Sequence, residues 1–243
     1  MWQDWQACCI VLLMKPKIVF EDNDLVVVDK PAGMVVNRAQ TTKGQLTLED
    51  WLVQERKILI DRAGIVHRLD KETSGVLVAA KSEAVMKSLQ EQFKSRLVKK
   101  TYWCLVHGLV VPKEGRINRP ISRNPFNRQR FGVFIGGREA ETEYQVLSYY
   151  HRTGEKFSLL EVRPKTGRTH QIRVHLKSLG FPLVADEWYA GRKTSKKDRV
   201  WCPRLFLQAL TLELNHPNSS QKLRLKTKLA VDLQAALDKL VKD

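Results

Sequence analysis

The sequence predicts an α+β fold, with a mixed, mostly antiparallel central sheet and flanking helices and loops. Apolar runs of strand length lie beside each other across turn-length gaps, as in "KIVFEDNDLVVV", where Glu21–Asp24 is the turn. Amphipathic helical segments such as "SEAVMKSLQEQFKSRL" are interspersed among them. The strict strand–helix–strand alternation that a parallel sheet requires is missing.

The elements follow in order. "KIVF" and "LVVV" are short strands, and "PAG" breaks the chain after them. "TLEDWLVQERK" is a helix with Thr47 as N-cap and acids in its first turn. "GVLVAA" is an apolar strand. The next helix is capped by Ser82, with Val85, Leu89, Phe93 and Leu97 on one face. "KKTYWCLVHGLVV" is a strand, and Pro112–Gly137 is read as loops and short hairpins. "EAETEYQVLSYY" and "KFSLLEVRP" pair around "HRTGE". "RTHQIRVHLKSLG" is a helix closed by Gly180. Two further strands, "RLFLQALTLELNHP" and "KLRLKTKLA", precede a terminal helix, "VDLQAALDKLVKD".

The chain of 243 residues suits one large domain or two small ones, and 43% hydrophobic residues are enough for a core. We read residues 1–14 as an extension or start-site artefact and 15–243 as a single catalytic domain. The apolar "ACCIVLLM" is too short to span a bilayer and lacks the basic flank of a signal peptide. Cys8, Cys9, Cys104 and Cys202 include no CxxC pair, so no metal site is expected, and the thiols are read as reduced in a cytoplasmic protein. Lys and Arg number 42 against 26 acids, a net charge of +16, which favours a polyanionic partner such as nucleic acid.

Three stretches carry candidate chemistry. In "HRLDKETSG", Arg68 and Lys71 flank Asp70 and favour its ionised form. A fixed carboxylate there can act as nucleophile, base or electrostatic stabiliser, although a surface Asp in a salt bridge has the same neighbours. In "KKTYWCLVHG", Tyr102, Cys104 and Val106 share one strand face. Tyr102 there suits either base stacking or an ordinary sheet face. In "RPKTGRTHQIRVHLKSLG", Arg163, Lys165, Arg168, Arg173 and Lys177 crowd a helix N-terminus, a phosphate-binding arrangement or a solvated basic face. Neither GxGxxG nor GxxxxGK[ST] occurs in the sequence.

Together "HRLDKETSG", "KTYWCLVHG" and "GRTHQIRVHLKSLGFPLVAD" resemble the core motifs of the RluA family of pseudouridine synthases. "IVFEDNDLVVVDKPAGMVV", "GREAETEYQVL" and "RLFLQALTLELNHP" resemble its other segments in the same order, except that Gln208 stands where the family usually has His. The resemblance covers roughly Lys17–His216. It implies that Asp70 is the catalytic aspartate, that Tyr102 stacks on the target base near C5, and that Arg173 pairs with the aspartate. It also implies that Arg68 contacts RNA by filling the gap of a flipped nucleotide. Lys71, Arg168, His170 and Lys177 complete the expected RNA-binding set.

The implied reaction breaks the N1–C1′ bond of uridine and rejoins the base through C5, with no atom gained or lost and no cofactor. The expected partner is a stem-loop of rRNA or tRNA, bound by a monomer. About sixteen residues precede "KIVFED". That is too few for the S4-type domain of many relatives, so recognition is expected from the catalytic domain itself. Two rival classes are an RNA-binding protein that has lost catalysis and a nucleoside N-glycosidase. The glycosidase would need neither the basic surface nor a polymeric substrate.

Overall fold

The computed structural model describes residues 15–42 and 44–243. The expected extension at 1–14, with Cys8 and Cys9, lies outside them. The chain groups into two compact units, one of residues up to Val98 with Thr211–Thr227, the other of Lys99–Leu210 with Lys228–Asp243. No linker marks the division, since Leu210 and Thr211 are consecutive within one strand.

In the first unit β1 (Lys17–Glu21) and β2 (Leu25–Lys30) form an antiparallel pair. Asp22 Oδ1 accepts the N–H groups of Asp24 and Leu25 at 2.8 and 2.7 Å, which fixes the turn. β2 pairs in turn with β3 (Ser74–Ala80), Leu25 opposite Ala80. Every residue of β3 is buried, which explains why its sequence is apolar without alternation. Helix α1 (Leu48–Arg56) starts with the capping box that Thr47 and Asp50 encode. Helix α2 (Glu83–Lys94) lays Val85 and Leu89 on Val76, Val78 and Ala80. Leu89 is wholly buried, and truncating such a side chain to Ala costs about 2–5 kcal/mol. The second half of β10 (Leu207–Asn215) pairs with β11 (Lys222–Lys226).

In the second unit β4 (Lys99–His107) pairs with β9 (Glu155–Pro164), and β9 with β8 (Glu141–Arg152), all antiparallel. The β8–β9 turn is Thr153-Gly154, with φ of 46° and 79°, the left-handed pair that a tight hairpin requires. β5 (Glu114–Asn118) and β12 (Val241–Lys242) both pair with β8. β6 (Ile121–Arg123) and β7 (Phe131–Val133) form a separate hairpin. The alternation in β4 is as predicted. Cys104 and Val106 pack with Leu160 and Leu176, while Leu105 packs with Phe157 and Phe206. Helices α3 (Gln171–Ser178), α4 (Arg192–Asp198) and α5 (Val231–Leu237) complete the unit. At the end of α3, Gly180 has φ 90°, and Phe181 and Gly180 donate to the carbonyls of Leu176 and Lys177, a Schellman closure.

Some boundaries differ from expectation. Helix α2 stops at Lys94 because Arg96 turns left-handed, at φ 59°, so Leu97 lies beyond it and is 57% exposed. The terminal helix stops at Leu237 and the chain ends as β12. Helix α4 lies in "GRKTSKKDRV", where basic residues hide the period and only Ser195 and Asp198 are buried. Gln208 is buried and bridges the Lys228 carbonyl and the Ala230 N–H at 2.8 and 2.9 Å.

Candidate active site

The Asp70 turn belongs to the first unit and is anchored at both ends. At its start Gly64 has φ +72°, and a Cβ there would lie 1.9 Å from the Ala80 carbonyl oxygen, so only glycine fits. Ile65 bridges to Ala79, and His67 Nε2 accepts the Val78 N–H at 3.1 Å while its ring stacks on Phe93. The imidazole proton therefore resides on Nδ1. Leu69 is buried beside the acid, and Thr73 N–H donates to the Asp70 carbonyl at 3.1 Å, closing the turn. The Lys71 carbonyl then accepts from Gly33 N–H at 2.7 Å and from Lys30 Nζ at 3.4 Å.

Lys30 is fully buried, and its ammonium also donates to the carbonyls of Pro31 and Met34, each at 2.8 Å. The "KPAGM" loop and the Asp70–Lys71 turn thus share one buried cation. Asp70 is half-buried, whereas Arg68 and Lys71 are exposed. The loop presents a half-buried carboxylate on a hydrogen-bonded backbone, between two residues whose basic side chains are exposed.

In the second unit Tyr102 is half-buried and packs on the cluster of Cys104, Val106 and Leu160. Arg173 is buried, with Nε and Nη2 donating to Asp186 Oδ2 and Oδ1 at 2.7 and 2.8 Å. Asp186 Oδ1 also accepts the N–H groups of Trp188 and Tyr189. The rings of Tyr189 and Trp188 lie 4.9 and 5.6 Å from the guanidinium carbon. Tyr189 Oη accepts Phe131 N–H at 3.1 Å and is hydrogen-bonded to His170 Nδ1 at 2.8 Å. Lys177 is exposed, with Nζ 6.0 Å from the centre of the same ring.

The loop before α3 is held by a polar network. Gln171 Oε1 accepts from Thr166 Oγ1 and Arg168 N–H at 2.7 and 2.9 Å. Gln171 Nε2 donates to the Glu141 carbonyl and Thr142 Oγ1 at 2.8 and 2.9 Å. His175 completes it between Thr142 Oγ1 and the Arg119 carbonyl, and burial holds its imidazole below the usual range, hence neutral. Arg168 Nε donates to the Glu139 carbonyl. Arg163 and Lys165 are ion-paired with Glu161 and Glu143.

The second unit thus brings Arg173, Lys177 and His170 around Tyr189. It gives Arg163 and Lys165 carboxylate partners of their own. Asp186, Tyr189 and Lys30 were not singled out from sequence. Asp186 was within reach, because a buried arginine calls for a carboxylate and "VAD" ends the third motif. Asp22, Asp24 and His216 also cluster in the first unit. There His216 Nδ1 accepts the N–H groups of Asn218 and Ser219, leaving its proton on Nε2 facing Asp22.

Residues 24–178 match the family described as RNA pseudouridylate synthase, and the chain belongs to that family. It is 43% identical over 229 residues to ribosomal large subunit pseudouridine synthase D of Nitrosomonas europaea, covering 91% of this chain. The chain spans 64% of that relative's length. An uncharacterized RNA pseudouridine synthase of Bacillus subtilis is 37% identical over 233 residues, 93% of this chain and 73% of that protein. The solved structure of human RNA pseudouridylate synthase domain containing 1 superposes with a TM-score of 0.76 at 27% identity. That match covers 95% of this chain and 90% of the human one.

Proposed function

We propose that the chain isomerises uridine to pseudouridine in structured RNA, with ribosomal or transfer RNA stem-loops as the substrate class. The observation that carries this reading is the Asp70 turn. Its backbone is pinned to β3 by His67 and to the "KPAGM" loop by the buried Lys30, in a chain of the pseudouridylate synthase family. Large-subunit rRNA is the target named for the Nitrosomonas relative, which favours rRNA over tRNA here.

In this reading the target uridine is flipped out of its stack to reach Asp70. Arg68, exposed at the rim, compensates the lost stacking. The N1–C1′ bond breaks, and positive charge builds at C1′. The Asp70 carboxylate stabilises that charge, traps it covalently, or takes the C2′ proton. The base turns, C5 bonds to C1′, the C5 proton leaves and N1 gains a proton, so atoms and charge balance. Tyr102 stacks on the base near C5. Arg173, oriented by Asp186, pairs with the Asp70 carboxylate, and Lys71, Arg168, His170 and Lys177 hold the backbone. The enzyme works as a monomer without a cofactor.

Tritium release from RNA labelled at uridine C5 tests this. Release by the wild type and none by Asp70→Asn is expected. Free uracil as product would indicate a glycosidase instead, and RNA binding without release a binding protein.

A further inference from the structure

Lys100 is a half-buried cation that neither the fold nor the reaction has so far required. It lies two residues before Tyr102 in β4 and on the same face. Among the described residues its ammonium has one hydrogen bond, to the Thr166 carbonyl at 3.2 Å, and no carboxylate in ion-pair range. An ammonium has three protons to donate, and a buried one without a counter-ion destabilises the fold. Burial alone brings its pKa down to about 8. Neighbouring cations are either compensated or engaged: Lys165 pairs with Glu143, and Arg168 donates to the Glu139 carbonyl.

Directly over the ammonium lies Gly167, which is exposed. A Cβ built on Gly167 would meet only Lys100 Nζ, at 4.0 Å. The bare glycine therefore leaves the ammonium open to an approaching atom, and its backbone is outside the left-handed region that would require glycine. The loop carrying it, Thr166 to Arg168, is fixed by Gln171 before any ligand arrives. A rigid opening over an uncompensated cation suits a small hard anion group.

We infer that Lys100 and Gly167 form a binding site for one phosphodiester group of the RNA substrate, the phosphate supplying the counter-ion that the protein omits. The inference rests on the RNA-synthase reading. It adds a backbone contact beneath the loop that precedes α3.

The test combines binding of a fluorescent uridine-rich RNA stem-loop with the Nζ NMR signal of Lys100. For Lys100→Met the slope of log affinity against log salt should fall by about one, with affinity roughly tenfold weaker at moderate salt. Gly167→Ala should weaken binding similarly while melting at the wild-type temperature, since its methyl group makes only van der Waals contact. Lys100→Arg should keep the slope. RNA should raise the Lys100 titration from about 8, and inorganic phosphate at equal concentration should not.

Unchanged slope and affinity in Lys100→Met and Gly167→Ala would make Lys100 a purely structural residue and overturn the inference. A titration shifted by inorganic phosphate but not by RNA would overturn it too. Tritium release separates the two failures. A wild type that releases tritium with an unaltered Lys100→Met slope loses only this site. A wild type that binds RNA through Lys100 without release keeps the site and loses the synthase reading.

Discussion

Arg173 and Asp186 are joined by two hydrogen bonds, Nε to Oδ2 at 2.7 Å and Nη2 to Oδ1 at 2.8 Å, with both side chains out of solvent. Two hydrogen bonds fix the plane of the guanidinium, not just its position. Removing the acid takes both of these hydrogen bonds from a buried guanidinium. Asp186→Ala should therefore cost about 3–5 kcal/mol of stability. The double variant Asp186→Ala with Arg173→Met should recover part of that loss in denaturant unfolding. Equal losses in the single and double variants would mean that the pair is not coupled.

Lys30 ties the Asp70 turn to the loop after β2 through three carbonyl oxygens, those of Pro31, Met34 and Lys71. Lys30→Met fills the same space without the donors. It should lower stability by about 1–3 kcal/mol. It should also lower kcat for tritium release more than it raises KM, because the turn carrying Asp70 loses its support while the RNA-facing cations remain. A KM effect alone would place Lys30 in RNA binding.

Gly64 approaches β3 so closely that a methyl group would overlap the Ala80 carbonyl oxygen. The positive φ adds strain for any other residue. Gly64→Ala should destabilise the fold by about 3 kcal/mol or more, measured by urea unfolding. Gly180→Ala, with nothing within 4 Å of the added carbon, should cost only about 1 kcal/mol, from its left-handed φ.

Lys100 gives the stability a distinctive pH dependence. The unfolded chain holds this proton up to the ordinary value of 10.5, the folded chain only up to about 8. Between those values the unfolded state binds more protons, so this group makes the folded state more stable as pH rises, by up to about 3 kcal/mol. Below pH 8 the charged, desolvated form is a standing cost. Lys100→Met should accordingly be more stable than wild type at pH 7, with the gap closing towards pH 10. A variant equally less stable at both pH values would contradict the burial of an uncompensated charge.

Much of the fold was legible because its signals are local. Thr47 and Ser82 cap the helices they were assigned, Thr153-Gly154 makes the turn between β8 and β9, and Gly180 closes α3. The alternation in β4 told which face Tyr102 shares. Leu97 misled because its spacing continued the apolar stripe, while the left-handed Arg96 had already ended the helix. Helix α4 was hidden because its inward residues are Ser195 and Asp198, and both are polar. At the candidate site, motif and charge singled out individual residues, whereas their partners were harder to read. Asp186 meets Arg173 across 13 residues, a contact only the third motif hinted at, and Lys30 meets Lys71 across 41, which no local pattern encodes.

On the proposed reading, the pinned carboxylate of Asp70 acts on uridine in RNA. Its most direct measurement is tritium release from C5-labelled ribosomal and transfer RNA, wild type beside Asp70→Asn, with melting temperatures recorded for both. Release by the wild type is expected, and none by a variant that melts within a few degrees of it. Release by a folded Asp70→Asn at a rate near wild type would contradict that reading.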